Sequence, residues 1–290
     1  MVKKGIILAG GMGTRMSPLT KAVNKQLLPL YDKPLIFYPL SILMLAGIKN
    51  ILIIVNRGQL SQFKKILPEK NNFGLKIRYS EQPKPGGLPE AFIIGKKFIG
   101  NDNVSLILGD NFFYGQSLSK ALLRGTTLKK GAKVFLHPVK NPNLYGVAKI
   151  NKKNKIIKLV EKPSKTISNL AVTGLYFFDN NVVKFSQKLK PSKRKELEII
   201  DLLNIYKRKK LLNAEFIGRG GAWLDTGSIK DFYDATSFIA AIENRQGFKI
   251  ACLEEIAYFK KWIGKKEIKK QIDFYGNCNY SKYLGKIIKS

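Results

Sequence analysis

The sequence predicts an α/β fold: a mixed, mainly parallel sheet flanked by helices, with a helical C-terminal appendage from about residue 228. Three observations lead there. The first 140 residues alternate short apolar runs with helical segments of about ten residues, the pattern of βαβ units. A glycine-rich stretch, Gly10-Gly11-Met12-Gly13, follows the first apolar run directly. From Ser228 onward the strand pattern gives way to helical spacing.

Each element follows from local pattern. Lys4–Ala9 is a short apolar run after a charged start, as in a buried strand. Pro39–Gly47 reads as a helix that Gly47 ends, and Ile51–Val55 as a β-branched strand. Leu60–Leu67 is helical and stops at Pro68. Leu75–Tyr79 alternates apolar and basic residues, like a half-buried strand. Leu88–Phe98 is read as a helix, Val104–Leu108 as a strand, Leu118–Leu128 as a helix and Ala132–Pro138 as a strand. Val147–Ile150 and Ile156–Val160 flank the polar turn Asn151-Lys152-Lys153-Asn154-Lys155. Ala171–Phe178 is a further strand, followed by helices at Asn181–Lys188 and Glu196–Lys209. Leu212–Ile217 and Ala222–Leu224 are short strands, and a lysine-rich helical region begins at Lys265. No repeat or low-complexity linker interrupts the chain. The expected division is an α/β core over 1–227 and a helical region over 228–290 packed on it.

Composition narrows the chemistry. The 290 residues hold 52 Lys plus Arg against 20 Asp plus Glu, a formal net charge of +32. Hydrophobic residues make up 44 %, enough for a core, so the charge does not imply disorder. Cys252, Cys278 and His137 are the only cysteines and histidine, too few for a Cys/His zinc site. Two late cysteines fit a reducing compartment, and no export or membrane-spanning segment is apparent, so a cytoplasmic protein is expected. Of the 52 cations only eight are Arg, and the lysines are spread along the chain. That argues for a solvated surface and against specific nucleic-acid binding, which leans on Arg forks.

The loop after the first strand carries the first chemical signal. Closely spaced glycines let backbone N–H groups approach an anion, and ligands of open α/β sheets bind beyond the carboxyl ends of the strands. No Gly-x-x-x-x-Gly-Lys-Ser/Thr string is present, and Met16 stands where a dinucleotide fingerprint needs a glycine. A plain structural turn would explain the glycines but not Arg15 beside them, nor Lys25-Gln26 soon after. The loop therefore fits a nucleotide held by loop amides, with Arg15 forking onto phosphates.

Gly10-Gly11-x-Gly13-Thr14-Arg15-Met16-x-Pro18-x-Thr20, Lys25-Gln26-Leu27-Leu28-Pro29 and Asp32-Lys33-Pro34 together resemble the signature of the sugar-nucleotide pyrophosphorylases. Within that family the likeness is greatest to the glucose-1-phosphate thymidylyltransferases. It continues through Leu108-Gly109-Asp110-Asn111, Tyr145-Gly146-Val147, Glu161-Lys162-Pro163, Val172-Thr173-Gly174-Leu175-Tyr176, Trp223-Leu224-Asp225-Thr226-Gly227 and Glu243-Asn244-Arg245-Gln246-Gly247. The blocks span nearly the whole chain in order. The resemblance implies a Rossmann-like core of the nucleotide-diphospho-sugar transferase type.

It also implies nucleotidyl transfer: glucose 1-phosphate attacks the α-phosphorus of dTTP, giving dTDP-glucose and pyrophosphate. Two polyanions must be neutralised and aligned, which matters more than a general base because the attacking phosphate is already ionised. Asp110 and Asp225 follow strands, where carboxylates can converge on one Mg²⁺; by resemblance these two hold it. Arg15, helped by Lys25, would grip the departing pyrophosphate, and Lys162 would contact the sugar phosphate and the α-phosphate. The nucleotide would be bound by Leu8, Gly10, Gly11, Gly13, Thr14, Arg15, Lys25, Gln26, Gln82 and Gly87, with Gln82 and Gly87 facing the base. The sugar phosphate would meet Tyr145, Gly146, Glu161, Lys162, Val172, Thr173 and Tyr176. Members are typically homotetramers inhibited by dTDP-rhamnose at a second site, matched here by Leu45, Tyr114, Gly115, Gly218, Arg219 and Ile256. Ser119, Lys120 and Phe259 depart from the usual residues there, and Gly86, Pro89 and Glu90 depart near the base. Thymine and uracil differ by one methyl, so a UTP-preferring enzyme is the nearest alternative. A catalytically silent dTDP-sugar sensor is another.

Overall fold

A computed structural model describes residues 1–289. Strand β1 (Lys4–Ala9) buries Ile6 on one face and Ile7 on the other, as a central parallel strand must. A small hairpin, β2 (Pro29–Leu30) with β3 (Lys33–Pro34), precedes helix α1 (Phe37–Leu45). Helix α1 is apolar almost all round and correspondingly buried. Strands β4 (Asn50–Asn56) and β5 (Lys76–Gln82) flank α2 (Leu60–Ile66). Strand β5 runs beyond the expected Tyr79 because its parallel pairing with β4 continues to Asn56↔Gln82. The helix expected over 88–98 breaks at Gly95 into α3 (Glu90–Ile94) and α4 (Lys96–Ile99), glycine being a weak helix former.

The chain then returns beside β1 as β6 (Val104–Leu108), paired in parallel with it. No strand is expected over 111–115, but the structure forms β7 (Asn111–Gly115) there, followed by α5 (Leu118–Thr126) and β8 (Ala132–Pro138). A hairpin of β9 (Gly146–Ile150) and β10 (Ile156–Glu161) leads into β11 (Leu170–Phe178). Helices α6 (Asn181–Ser186) and α7 (Ile199–Arg208), then β12 (Leu212–Phe216) and β13 (Gly221–Asp225), complete the α/β part. The expected 196–209 helix begins at Ile199.

Among the described residues the main sheet has nine strands. Its order is β5-β4-β1-β6-β11-β8-β12, with the β9–β10 hairpin joined to the first half of β11. Only β11 and β10 oppose the rest, so the sheet is mixed but mostly parallel. Helices α1, α2, α5 and α9 (Leu253–Phe259) contribute to the core on one face, and α3, α4, α6 and α7 to the core on the other. Chain direction switches at β1, between β4 and β6, and a cleft opens beyond the carboxyl ends of such strands. Strand β13 pairs antiparallel with β7 through Asp225↔Asn111, drawing two strand ends together.

The remaining helices are α8 (Ile229–Gln246), α10 (Lys265–Tyr275) and α11 (Asn279–Ile287). Ser228 starts α8 by accepting a hydrogen bond from the Asp231 N–H, a favoured N-cap. Phe238 of α8 meets Phe112 edge-on at 5.8 Å, and Leu253 and Ala257 of α9 enter the sheet's own core. The far end of α8 is tied down electrostatically. Buried Glu243 lies 3.1 Å from Lys33 and 3.2 Å from Lys249, and Asp32 bridges the same two lysines. No helix among the described residues is long and apolar enough to cross a membrane.

Candidate active site

A cleft of about 420 Å³ lies where the ends of β6, β9, β10, β11 and β13 converge. Of the residues singled out from sequence it gathers Arg15, Asp110, Tyr145, Gly146, Glu161, Lys162, Val172, Tyr176 and Asp225. Asp110 follows β6 and Asp225 ends β13. The Thr226 N–H and hydroxyl both donate to the Asp110 carbonyl, at 3.2 and 2.9 Å, which clips the two strand ends together. Asn111 Nδ2 donates to Asp110 Oδ1 at 3.1 Å.

The two carboxylates are electrostatically unequal. Burial disfavours charge on Asp110, but Lys25, 2.7 Å away, and the Asn111 hydrogen bond hold its carboxyl below the usual range. Burial and then the Asp110 charge push Asp225 up to about 6, against the pull of Lys25 and Arg15. The Arg15 guanidinium closes this corner: a Cβ on Gly227 would meet Arg15 Nη2 at 2.8 Å and Asp225 Oδ1 at 3.1 Å. Repelling carboxylates bracketed by cations form an oxygen-only donor set suited to a hard divalent ion. No group of three or more His, Cys, Asp or Glu that could hold a metal occurs among the described residues. A cation here would therefore take its remaining oxygens from phosphate or water.

The opposite wall is the sugar-sized side. Glu161 ends β10, and burial and the nearby Glu198 charge raise its pKa against Arg194 and Lys162. Arg194 forks between Glu198 at 2.7 Å and Glu161 at 3.4 Å. Lys162 is exposed at the rim on a left-handed backbone (φ 41°), and its N–H donates to the Tyr145 carbonyl at 3.0 Å. The Tyr145 ring meets Trp223 edge-on at 5.1 Å, and Tyr176 is buried beneath. Thr173 is wholly buried, its hydroxyl unpartnered, and Gly174 lines the cleft instead.

The remaining expected nucleotide residues lie in the glycine loop after β1, in the turn at Lys25–Leu27, and at and beyond the end of β5. Gln82 is buried, and its Nε2 donates to the Gly10 carbonyl at 3.0 Å. Gln26 is buried with Oε1 unpartnered. Leu8, Gly11, Gly13 and Thr14 sit in the same loop region without lining the cleft, and Lys25 is committed to Asp110. Gly87 (φ 99°) forms a bridge to Leu197, which brings Glu196, Leu197 and Glu198 to the cleft wall. The second set falls in two places. Tyr114 and Gly115 lie on β7 with Gly218 near its partner strand, and Arg219 is exposed beside it. Leu45 and Ile256 pack against the main core from α1 and α9.

Sequence reasoning missed Arg194, Glu198, Asp231 and the roles of Asn111 and Trp223. Arg194 had a signal: it is one of eight arginines, standing between Lys193 and Lys195. A planar fork able to hold two carboxylates at once is what lysine lacks.

The family model described as nucleotidyl transferase matches residues 4–242. A glucose-1-phosphate thymidylyltransferase of Neisseria meningitidis serogroup A is 48% identical over 286 residues, 99% of each chain. A Bacillus anthracis structure provisionally assigned as a glucose-1-phosphate thymidylyltransferase, in complex with sucrose, is 38% identical. It superposes with a TM-score of 0.75 over 81% of this chain and 94% of that one. A UDP-glucose pyrophosphorylase complexed with UDP-glucose, 27% identical, gives 0.73 over 85% of this chain and 100% of that one.

Proposed function

Since this chain belongs to the nucleotidyl transferase family, we propose that it transfers the thymidylyl group of dTTP to glucose 1-phosphate, releasing pyrophosphate. The observation that carries this reading is the facing pair Asp110 and Asp225, bracketed by Arg15 and Lys25 in a cleft whose other wall offers Glu161 and Lys162. The relatives' names supply the nucleotide and the sugar phosphate.

An oxygen of glucose 1-phosphate bonds to the α-phosphorus as the bond to the pyrophosphate oxygen breaks. The side chains bring two polyanions together and keep them in line. Arg15 and Lys25 draw negative charge to the pyrophosphate side. Lys162 holds the sugar phosphate beside the α-phosphate, its left-handed backbone turning the side chain at the rim. Glu161 accepts hydrogen bonds from sugar hydroxyls, with Tyr145, Gly146, Val172, Gly174 and Tyr176 shaping that pocket and Thr173 buried behind its wall. Gln82 and Gly87 recognise the thymine edge behind the glycine loop of Leu8, Gly10, Gly11, Gly13 and Thr14, with Gln26 alongside. Asp110 and Asp225 would hold Mg²⁺, which when bound neutralises the triphosphate. Their mutual repulsion is what a dication relieves.

We further take residues 1–227 as the nucleotidyltransferase core and 228–290 as a helical region packed on it. The protein would act in the cytoplasm as a homotetramer, with dTDP-rhamnose as feedback inhibitor at Leu45, Tyr114, Gly115, Gly218, Arg219 and Ile256. The test is pyrophosphate release from dTTP, glucose 1-phosphate and Mg²⁺, with UTP in competition. Asp110→Asn should lower kcat/KM by at least about a hundredfold, the scale of a lost electrostatic stabiliser. Full activity in that variant would sink the metal assignment.

A further inference from the structure

The buried polar contacts around Asp110 continue past Asn111. Trp223 is 8% exposed, and its Nε1 donates to Asn111 Oδ1 at 2.7 Å. The Gly174 N–H donates to the same oxygen at 3.1 Å. An amide oxygen that accepts two donors fixes which end of the amide is which. The Asn111 nitrogen must therefore face the other way, where it donates to Asp110 Oδ1 at 3.1 Å. Strand pairing supports the arrangement from below, since Asp225 lies opposite Asn111 and Trp223 opposite Phe113.

We infer that Trp223 is a positioning residue that acts through Asn111: its indole N–H locks the Asn111 amide so that Asp110 is held in one orientation toward a bound cation. This rests on the proposed metal role of Asp110. The alternative is that Trp223 merely walls the sugar pocket, through its edge contact with Tyr145. The two roles separate cleanly. Loss of an orienting hydrogen bond weakens capture of the cation with its triphosphate, whereas loss of a wall weakens capture of the sugar phosphate.

Trp223→Phe keeps an aromatic ring and deletes the N–H. Manganese titration in the presence of dTTP, followed by electron paramagnetic resonance without turnover, reads cation capture directly. The variant should bind manganese about five- to tenfold more weakly, the effect of one buried hydrogen bond. Calorimetry with glucose 1-phosphate should give the wild-type affinity. Unchanged manganese binding, or a defect confined to the sugar phosphate, would overturn the inference. Asn111→Ala gives the second arm. It should reproduce the manganese defect, and adding Trp223→Phe to it should weaken binding no further; additive losses would show that Trp223 does not act through Asn111. If Trp223→Phe fails to fold, Asn111→Ala alone decides, because it leaves the indole in place: unchanged manganese affinity overturns the inference. Wild-type protein that binds no manganese with dTTP would instead refute the proposed function, and with it the basis of this one.

Discussion

Replacing Asp225 by Asn should destroy activity and stabilise the metal-free protein. The carboxyl is pushed from an ordinary 3.8 up to about 6 by burial and the Asp110 charge. A group whose folded pKa is raised favours folding fully only below its unfolded pKa, and that advantage is lost as pH rises through the folded value. Above about pH 6 the native state therefore carries a charge it disfavours. That rise corresponds to about 1–3 kcal/mol once partial contact with water is allowed for. Asparagine keeps the shape and removes the charge. Thermal unfolding of Asp225→Asn at pH 8 with chelator should give a Tm several degrees above wild type. The gap should shrink toward zero as the pH falls to about 4, where the wild-type carboxyl is already protonated. Adding Mg²⁺ and dTTP should raise the wild-type Tm and leave the variant's almost unmoved. A variant no more stable than wild type at pH 8 would refute the electrostatic account of this pair.

A Cβ at Gly87 would lie 2.1 Å from the Leu197 carbonyl on a left-handed backbone, so Gly87→Ala should displace the 196–198 wall and raise KM severalfold; wild-type KM values and Tm would argue against that bridge. Glu243→Gln takes one of two carboxylate partners from buried Lys33 and half-buried Lys249, Asp32 remaining, and should cost about 1–3 kcal/mol in a urea titration, whereas a loss below about 0.5 kcal/mol would mean the cluster stabilises little.

Much of the framework was legible because it is local. Ile51–Val55 and Val104–Leu108 announce buried strands by β-branched and apolar runs, and both form. Asp110 and Asp225 could be singled out because each follows such a run, and the structure brings them together. Strand β7 was hidden: Asn111-Phe112-Phe113-Tyr114-Gly115 follows β6 almost directly, and only its pairing with β13, a hundred residues on, makes it a strand. Arg194 lies in a lysine-rich loop with no periodicity and Glu198 at the cap of the helix that follows it, and the long-range bridge between Gly87 and Leu197 carries both to the cleft. Lys25 was legible as a phosphate-loop cation, but its buried ion pair with Asp110 was not, since the partners are 85 residues apart. The +32 charge, the most conspicuous number in the sequence, accounts for few of these contacts. Its surplus would steer anionic substrates at low salt and lose that effect as salt screens it.

Thymidylyl transfer is followed most directly in a phosphorus magnetic resonance record of the protein incubated with dTTP, glucose 1-phosphate and Mg²⁺. The triphosphate and sugar phosphate signals should fall together, while a sugar-linked diphosphate and free pyrophosphate rise in equal amounts. An unchanged spectrum, or conversion of dTTP to dTDP and inorganic phosphate with the sugar phosphate untouched, would contradict thymidylyl transfer.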